Sequence, residues 1–213
     1  MGIYQAASAA NLSLKNYLAH PRIYQGFQEA AGFFGARIKA IDAYLPLKGN
    51  EKVLDIGCGP GFIVQELPEG CSYVGFDPSP DYIRYASRHF GNLGEFVLGF
   101  FDERAANTYA PVDVVMLNGV LHHMTDAEAA EVARLADMVL RPGGRLFTLD
   151  GCFVDGQNPV AKRLLSNDRG RFVRQQAGYE ALLKPHFSKL EAYIDHRFSW
   201  VPYTFISMVG HKR

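Results

Sequence analysis

The 213-residue chain carries 22 Lys and Arg against 22 Asp and Glu, so its formal net charge is zero, and 48% of its residues are hydrophobic. That balance suits a globular protein with a buried core and speaks against a general polyanion binder, which shows a basic excess. Its three cysteines, Cys58, Cys71 and Cys152, have unrelated spacings, so neither a disulfide framework nor a zinc site is expected, and a reducing compartment is.

The N-terminal residues lack a basic stretch followed by an apolar one, and no apolar run approaches the roughly 18 residues that span a bilayer. A cytoplasmic protein without membrane association is the expectation. Residues 22–45 read as a helix with Phe27, Phe34, Ile38 and Ile41 on one side, weakened by Gly26, Gly32 and Gly35. From Glu51 short apolar runs alternate with helical patterns, the signature of βαβ units. The runs KVLDI (52–56), SYVGF (72–76), EFVLG (95–99), VDVVML (112–117) and GRLFTLD (144–150) predict strands covered by helices on both faces.

A helix is expected from Ser79 or Pro80 to about Arg88. A second runs from Thr125 to Leu140, where Thr125 and Glu128 form a capping box and Ala129, Val132, Leu135, Ala136 and Val139 recur at helical spacing. Arg141-Pro142-Gly143-Gly144 ends it and turns into the next strand. Residues 151–174 read as loop or short helix, 175–184 as a helix stopped by Pro185, and 189–195 and 203–211 as final strands.

The segment VLDIGCGPG (53–61) carries the strongest chemical signal. A strand ends at Ile56, and Gly57, Gly59 and Gly61 turn into an expected helix, letting the backbone pass a ligand without Cβ atoms in the way. The dinucleotide fingerprint fails because the third glycine comes one residue early, and no GK[ST] supports a phosphate loop. Asp77 closes the next strand, where a carboxylate can accept both hydroxyls of a ribose.

VLDIGCGPG, VGFDPSPDYI, VDVVMLNGVLHHM and LRPGGRLFTLD, in this order and spacing, resemble the core motifs of class I S-adenosylmethionine-dependent methyltransferases over residues 48–152. The resemblance implies a Rossmann-like, doubly wound, seven-stranded α/β sheet, mostly parallel with its last strand antiparallel, beneath an N-terminal helical cap. It implies one domain: a cap (1–47), a cofactor-binding core (48–152), an insertion and helix (153–186) and the final strands (187–213). It implies S-adenosylmethionine as cofactor, released as S-adenosylhomocysteine. Asp55, Gly57, Cys58, Gly59 and Gly61 would surround the methionine end, and Asp77 would hold the ribose. Pro78 and Ile83 would flank the adenine, Asp102 would accept from its amino group with Phe101 beside it, and Asn118 would offer polar contacts. For Asp102 a plain N-cap role competes, and Asn118 can equally terminate its strand.

Methyl transfer asks mainly for positioning, with a base only if the acceptor holds its proton tightly. His122 and His123 follow the fourth strand at the cofactor-facing edge and are the candidate bases, against a structural or pocket-lining role. Tyr4, Tyr17, Tyr24 and Phe33 could line a lid over the acceptor or pack as core, and Tyr203 could reach the pocket from its far side. A basic cluster of Lys162, Arg163, Arg169, Arg171 and Arg174 would suit a phosphate or carboxylate on the acceptor, or would be a solvated loop. A small-molecule O, N or C nucleophile is the leading acceptor class. A macromolecule such as tRNA, or binding without transfer, are the alternatives. Nucleic acid is disfavoured because no basic surface is evident, and NGVL (118–121) stands where enzymes acting on exocyclic amines of DNA carry [NDS]PP[FYW]. Oligomeric state and acceptor are left open.

Overall fold

The computed structural model describes residues 32–168 and 170–213. Strands β1 (Lys52–Ile56), β2 (Ser72–Asp77), β3 (Glu95–Leu98), β4 (Val112–Asn118) and β5 (Leu140–Phe153) pair in parallel, and β8 (Phe205–His211) lies antiparallel between β5 and β7 (Lys189–Asp195). The order is β3-β2-β1-β4-β5-β8-β7. It reverses between β1 and β4, and such a switch point opens a crevice at the carboxyl ends of the strands. A two-residue strand, β6 (Arg174–Gln175), pairs with Cys152 and Phe153 beside the main path, an eighth strand that the expected seven did not include.

Helices cover both faces. Leu54, Val115 and Leu117 point into a core shared with α3 (Glu103–Tyr109), α4 (Asp126–Val139) and α6 (Gln176–Leu183). Val53, Val114 and Met116, one residue out of phase, point into a second core with α1 (Phe33–Tyr44), α2 (Pro80–Phe90) and α5 (Pro159–Ser166). The period-2 alternation of strand side chains divides one near-continuous apolar run between the two layers.

Local signals explain most element boundaries. The Thr125–Glu128 capping box forms as expected, and Ser79 caps α2 with Pro80 in its first turn. Helix α1 begins at Phe33 behind Gly32 in the left-handed region, and it buries Ala36, Ala40 and Ile41. The rest of the helix expected from residue 22 lies outside the described residues. Two expectations change. The glycine loop leads into a short 3₁₀ segment, Phe62–Glu66, instead of an α-helix. The segment 151–174, read as loop or short helix, contains the short helix α5, begun by Asn158, whose side chain accepts from the Val160 and Ala161 amides, with Pro159 at its first position. Strand β5 starts at Leu140, because Val112 pairs with Leu140 and Val114 with Arg145 while residues 141–144 bulge between the rungs. Among the described residues no helix is long and apolar enough to cross a membrane.

Candidate functional site

A cleft of about 680 Å³ opens at the carboxyl ends of the strands. Its floor is the β1 glycine loop. The Gly57 and Cys58 amides donate to the Phe76 carbonyl of β2 at 2.8 and 3.0 Å, which ties the loop to its neighbour. Gly59 has φ +57, and a Cβ built on it would meet nothing within 4 Å, so a backbone edge faces open space. Gly61 answers a different need: its φ is +80, and a Cβ there would lie 2.6 Å from the Phe96 ring.

Asp77 joins two pieces of this wall. One carboxylate oxygen accepts from the Gly59 amide at 2.9 Å and the other from the Ser79 amide at 2.8 Å. Burial pushes its carboxyl up, opposed by those two donors. Pro78, Tyr82, Gly99, Phe100 and Phe101 continue the wall, with Phe101 edge-on to Phe76 at 5.2 Å between centroids.

The middle of the cleft holds uncompensated polar groups. Asp55 is buried, and its Oδ2 accepts from the Tyr73 hydroxyl at 2.8 Å while its Oδ1 has no partner. Burial raises its pKa from 3.8 to about 6, with the Tyr73 hydrogen bond and the Arg37 guanidinium pulling the other way. Both side-chain polar atoms of buried Asn118 lack a partner within 3.5 Å, though Asn118 lies near enough to Asp55 to help pull its carboxyl down. Buried orphans of this kind are costly in a folded protein and mark where a polar ligand belongs. Arg37, on α1, lines the same stretch.

At the far end stands His122. Its Nδ1 pairs with Asp150 Oδ1 at 2.7 Å, and the same oxygen accepts from the His122 amide at 3.1 Å. Its Nε2 faces Asp168 Oδ1 at 3.5 Å. The Tyr203 hydroxyl donates to Asp168 Oδ2 at 2.9 Å, and the Gly170 amide donates to Asp168 Oδ1 at 2.8 Å. Burial alone would lower the His122 ring, but the hydrogen bond and charge of Asp150, joined by Asp168, hold it above its ordinary value. Burial pushes the Asp150 carboxyl up as well, against the pull of its hydrogen bond to His122. Burial and the neighbouring Asp168 push the Tyr203 phenol well up, so it remains a donor.

The sequence candidates divide accordingly. Gly57, Gly59, Asp77, Pro78, Phe101, Asn118, His122, His123 and Tyr203 all line the cleft, and Asp55 lies against it. Cys58 turns away, its sulfur packed where a Cβ on Gly75 would lie 2.8 Å off. Ile83 faces the core beneath α2, and Tyr82 lines the cleft in its place. Gly61 serves packing, as above. Asp102 is exposed and caps α3 by accepting from the Ala105 amide at 2.8 Å. Arg171 is exposed and does not line the cleft, and Tyr4, Tyr17, Tyr24 and Arg169 lie outside the described residues.

Sequence reasoning missed Arg37, Asp150 and Asp168. Asp150 had a signal, since it ends a strand at the ligand edge as Asp77 does. Arg37 and Asp168 had none, because only the packing of α1 and of the loop after α5 brings them to the cleft.

Comparison with known proteins follows this geometry. Residues 53–144 match a family model described as a methyltransferase domain. The chain is similar to the ubiquinone biosynthesis O-methyltransferases of Xylella fastidiosa (30% identity over 115 residues, 52% of this chain and 46% of that protein) and Escherichia coli O7:K1 (32% over 102 residues, 46% and 42%). It thus spans less than half the length of these curated relatives. Among solved structures, human N-acetylserotonin methyltransferase in complex with S-adenosylmethionine shares the fold. Its TM-score is 0.69 at 19% identity, covering 96% of this chain and 60% of that one.

Proposed function

We propose that this chain, whose residues 53–144 match a methyltransferase domain, transfers a methyl group from S-adenosylmethionine to an oxygen, nitrogen or carbon nucleophile of a small molecule. The observation that carries the reading is one continuous cleft lined by Asp77, the orphaned Asn118 and the His122–Asp150 pair, with the orphaned Asp55 buried against it. The residues fit the cofactor group by group. The free Asp55 oxygen and the Arg37 guanidinium match an ammonium and a carboxylate, the two ends of an amino acid. Each Asp77 oxygen accepts one backbone amide and keeps lone pairs for a ribose hydroxyl. Phe101, Phe100 and Tyr82 offer ring surface to an adenine.

When bound, S-adenosylmethionine supplies an electrophilic methyl carbon on a positively charged sulfur and leaves as neutral S-adenosylhomocysteine. The chain's own work is positioning and charge placement. The bare backbone edge at Gly59 lets the ligand lie close to the loop, and Asp55 and Arg37 fix one end of it while Asp77 fixes the other. His122, hydrogen-bonded to Asp150 and facing Asp168, places a fixed polar network at the acceptor end.

Calorimetry of S-adenosylmethionine and S-adenosylhomocysteine, with NAD and NADP as controls, tests the reading on wild type and Asp77→Ala. Micromolar binding of both adenosyl ligands is expected, weakened about a hundredfold in the variant through two lost charge-assisted hydrogen bonds. A folded wild-type protein that binds neither, or prefers NAD, overturns it.

A further inference from the structure

His122 is tied on one side: Nδ1 is bonded to Asp150 at 2.7 Å, while Nε2 faces Asp168 across 3.5 Å without a hydrogen bond. A Cβ on Gly170 would lie 1.8 Å from its Cδ2, so the Gly170 strap packs against that edge. Asp150 spends Oδ1 on His122 and keeps Oδ2 buried and unpartnered, with its side chain only 1% exposed. Asp168 is different: its side chain is 22% exposed and it lines the cleft. Its oxygens accept from the Gly170 amide and the Tyr203 hydroxyl, which aim the carboxylate while leaving lone pairs free.

Among the described residues this corner is acidic: two carboxylates, Asp150 and Asp168, flank the His122 ring. The described basic residues of the insertion do not face them: Lys162, Arg163 and Arg171 are exposed away from the cleft. Arg174 is committed to Asp126 and to the Leu121 and Met124 carbonyls. Beside Asp168 the wall is apolar, with the Phe33, Tyr203 and Phe205 rings packed at 4.8–5.9 Å between centroids and Leu164 completing it.

We propose that Asp168 is the acceptor-binding carboxylate, and that it receives a protonated amine or a hydroxyl carried on an aromatic or otherwise apolar body. This rests on the methyl-transfer reading and names the acceptor class for it. It sets aside the reading in which the basic cluster holds an anionic acceptor, in favour of the solvated loop. In the step, the acceptor's N–H or O–H bond breaks, its electron pair stays on the nucleophilic atom, and the proton passes to Asp168. His122, Asp150 and Tyr203 hold that carboxylate in place, and the proton returns to solvent when product leaves.

The test is an NMR titration at pH 7 with two probes of one shape and opposite charge, phenethylamine and 3-phenylpropionate, with and without S-adenosylhomocysteine. Wild type is expected to prefer the ammonium about tenfold, and Asp168→Asn to erase the preference. Tyr203→Phe, which keeps the carboxylate, retains it. Direct titration of the His122 ring gives a second readout: its pKa falls in Asp168→Asn, leaving Asp150 as the one flanking carboxylate and Arg174 as the nearby cation that lowers it. Equal binding of the two probes, preference for the carboxylate, binding of neither, or a preference that survives Asp168→Asn each overturns the proposal. An ammonium preference with no affinity for S-adenosylhomocysteine would instead sink the methyl-transfer reading and leave the Asp168 site standing.

Discussion

The Asp77 end of the cleft is built mostly from backbone, and the His122 end from side chains. At the first, glycine-loop amides, the Ser79 amide and the strand ends of β1 and β2 do the shaping, all within 55–101 of the chain. At the second, His122, Asp150, Asp168 and Tyr203 come from four separate segments and meet through hydrogen bonds and one close packing contact. A site of backbone amides suits one invariant ligand. A site of side chains can be retuned by single substitutions without disturbing the sheet, which suits an acceptor that differs between relatives.

Two glycine substitutions should pull that contrast into view. In Gly170→Ala the new methyl collides with the His122 ring at 1.8 Å, so the strap or the ring must move. Urea denaturation is expected to show a loss of about 3 kcal/mol, with the His122 titration returning toward ordinary values. Gly59→Ala meets open space and suffers only its φ of +57, about 1 kcal/mol of strain, yet its methyl projects where the ligand must pass. Stability should barely change there while S-adenosylhomocysteine affinity collapses. Equal stability losses at the two positions would erase the distinction between the two ends.

A smaller effect should appear at Asp55, which sits between them. A carboxyl whose folded pKa, about 6, exceeds the ordinary 3.8 binds more protons folded than unfolded between those values. Its contribution to stability therefore falls as pH rises through that window, and above it the buried charge is a standing cost. Asp55→Asn should raise the stability of the ligand-free protein at pH 7 by about 1–2 kcal/mol and flatten this part of the pH profile. Thermal melts with S-adenosylhomocysteine should show the reverse, a smaller ligand-induced rise than in wild type. That trade is the mark of a residue kept for binding. A variant that loses stability without ligand would mean that Asp55 serves the fold.

What the sequence disclosed follows the same division. Strand positions, the glycine loop, Asp77 and the Thr125 cap were legible because each rests on neighbours close in the chain. Ile83 was misjudged relative to Tyr82 because a helix start leaves the facing residue uncertain by one position. Asp168 was hidden in a segment whose arginines suggested the opposite charge, and only folding shows Arg163 and Arg171 turned outward and Arg174 spent on loop carbonyls and Asp126. Arg37 depends on how α1 lies over the glycine loop, a tertiary fact with no local signal.

Amide NMR shifts on adding S-adenosylhomocysteine to the wild-type protein test the central claim most directly, because the described residues contain a second cavity at the opposite end of the strands. That cavity, about 430 Å³, is lined by Lys48, Glu51, Asp113, Arg141 and Arg145. The account predicts shifts at residues 57–61, 77–79, 99–101 and 118–120, with Lys48, Asp113 and Arg145 unmoved. Shifts centred on that second cavity, or none along the glycine loop, would contradict it.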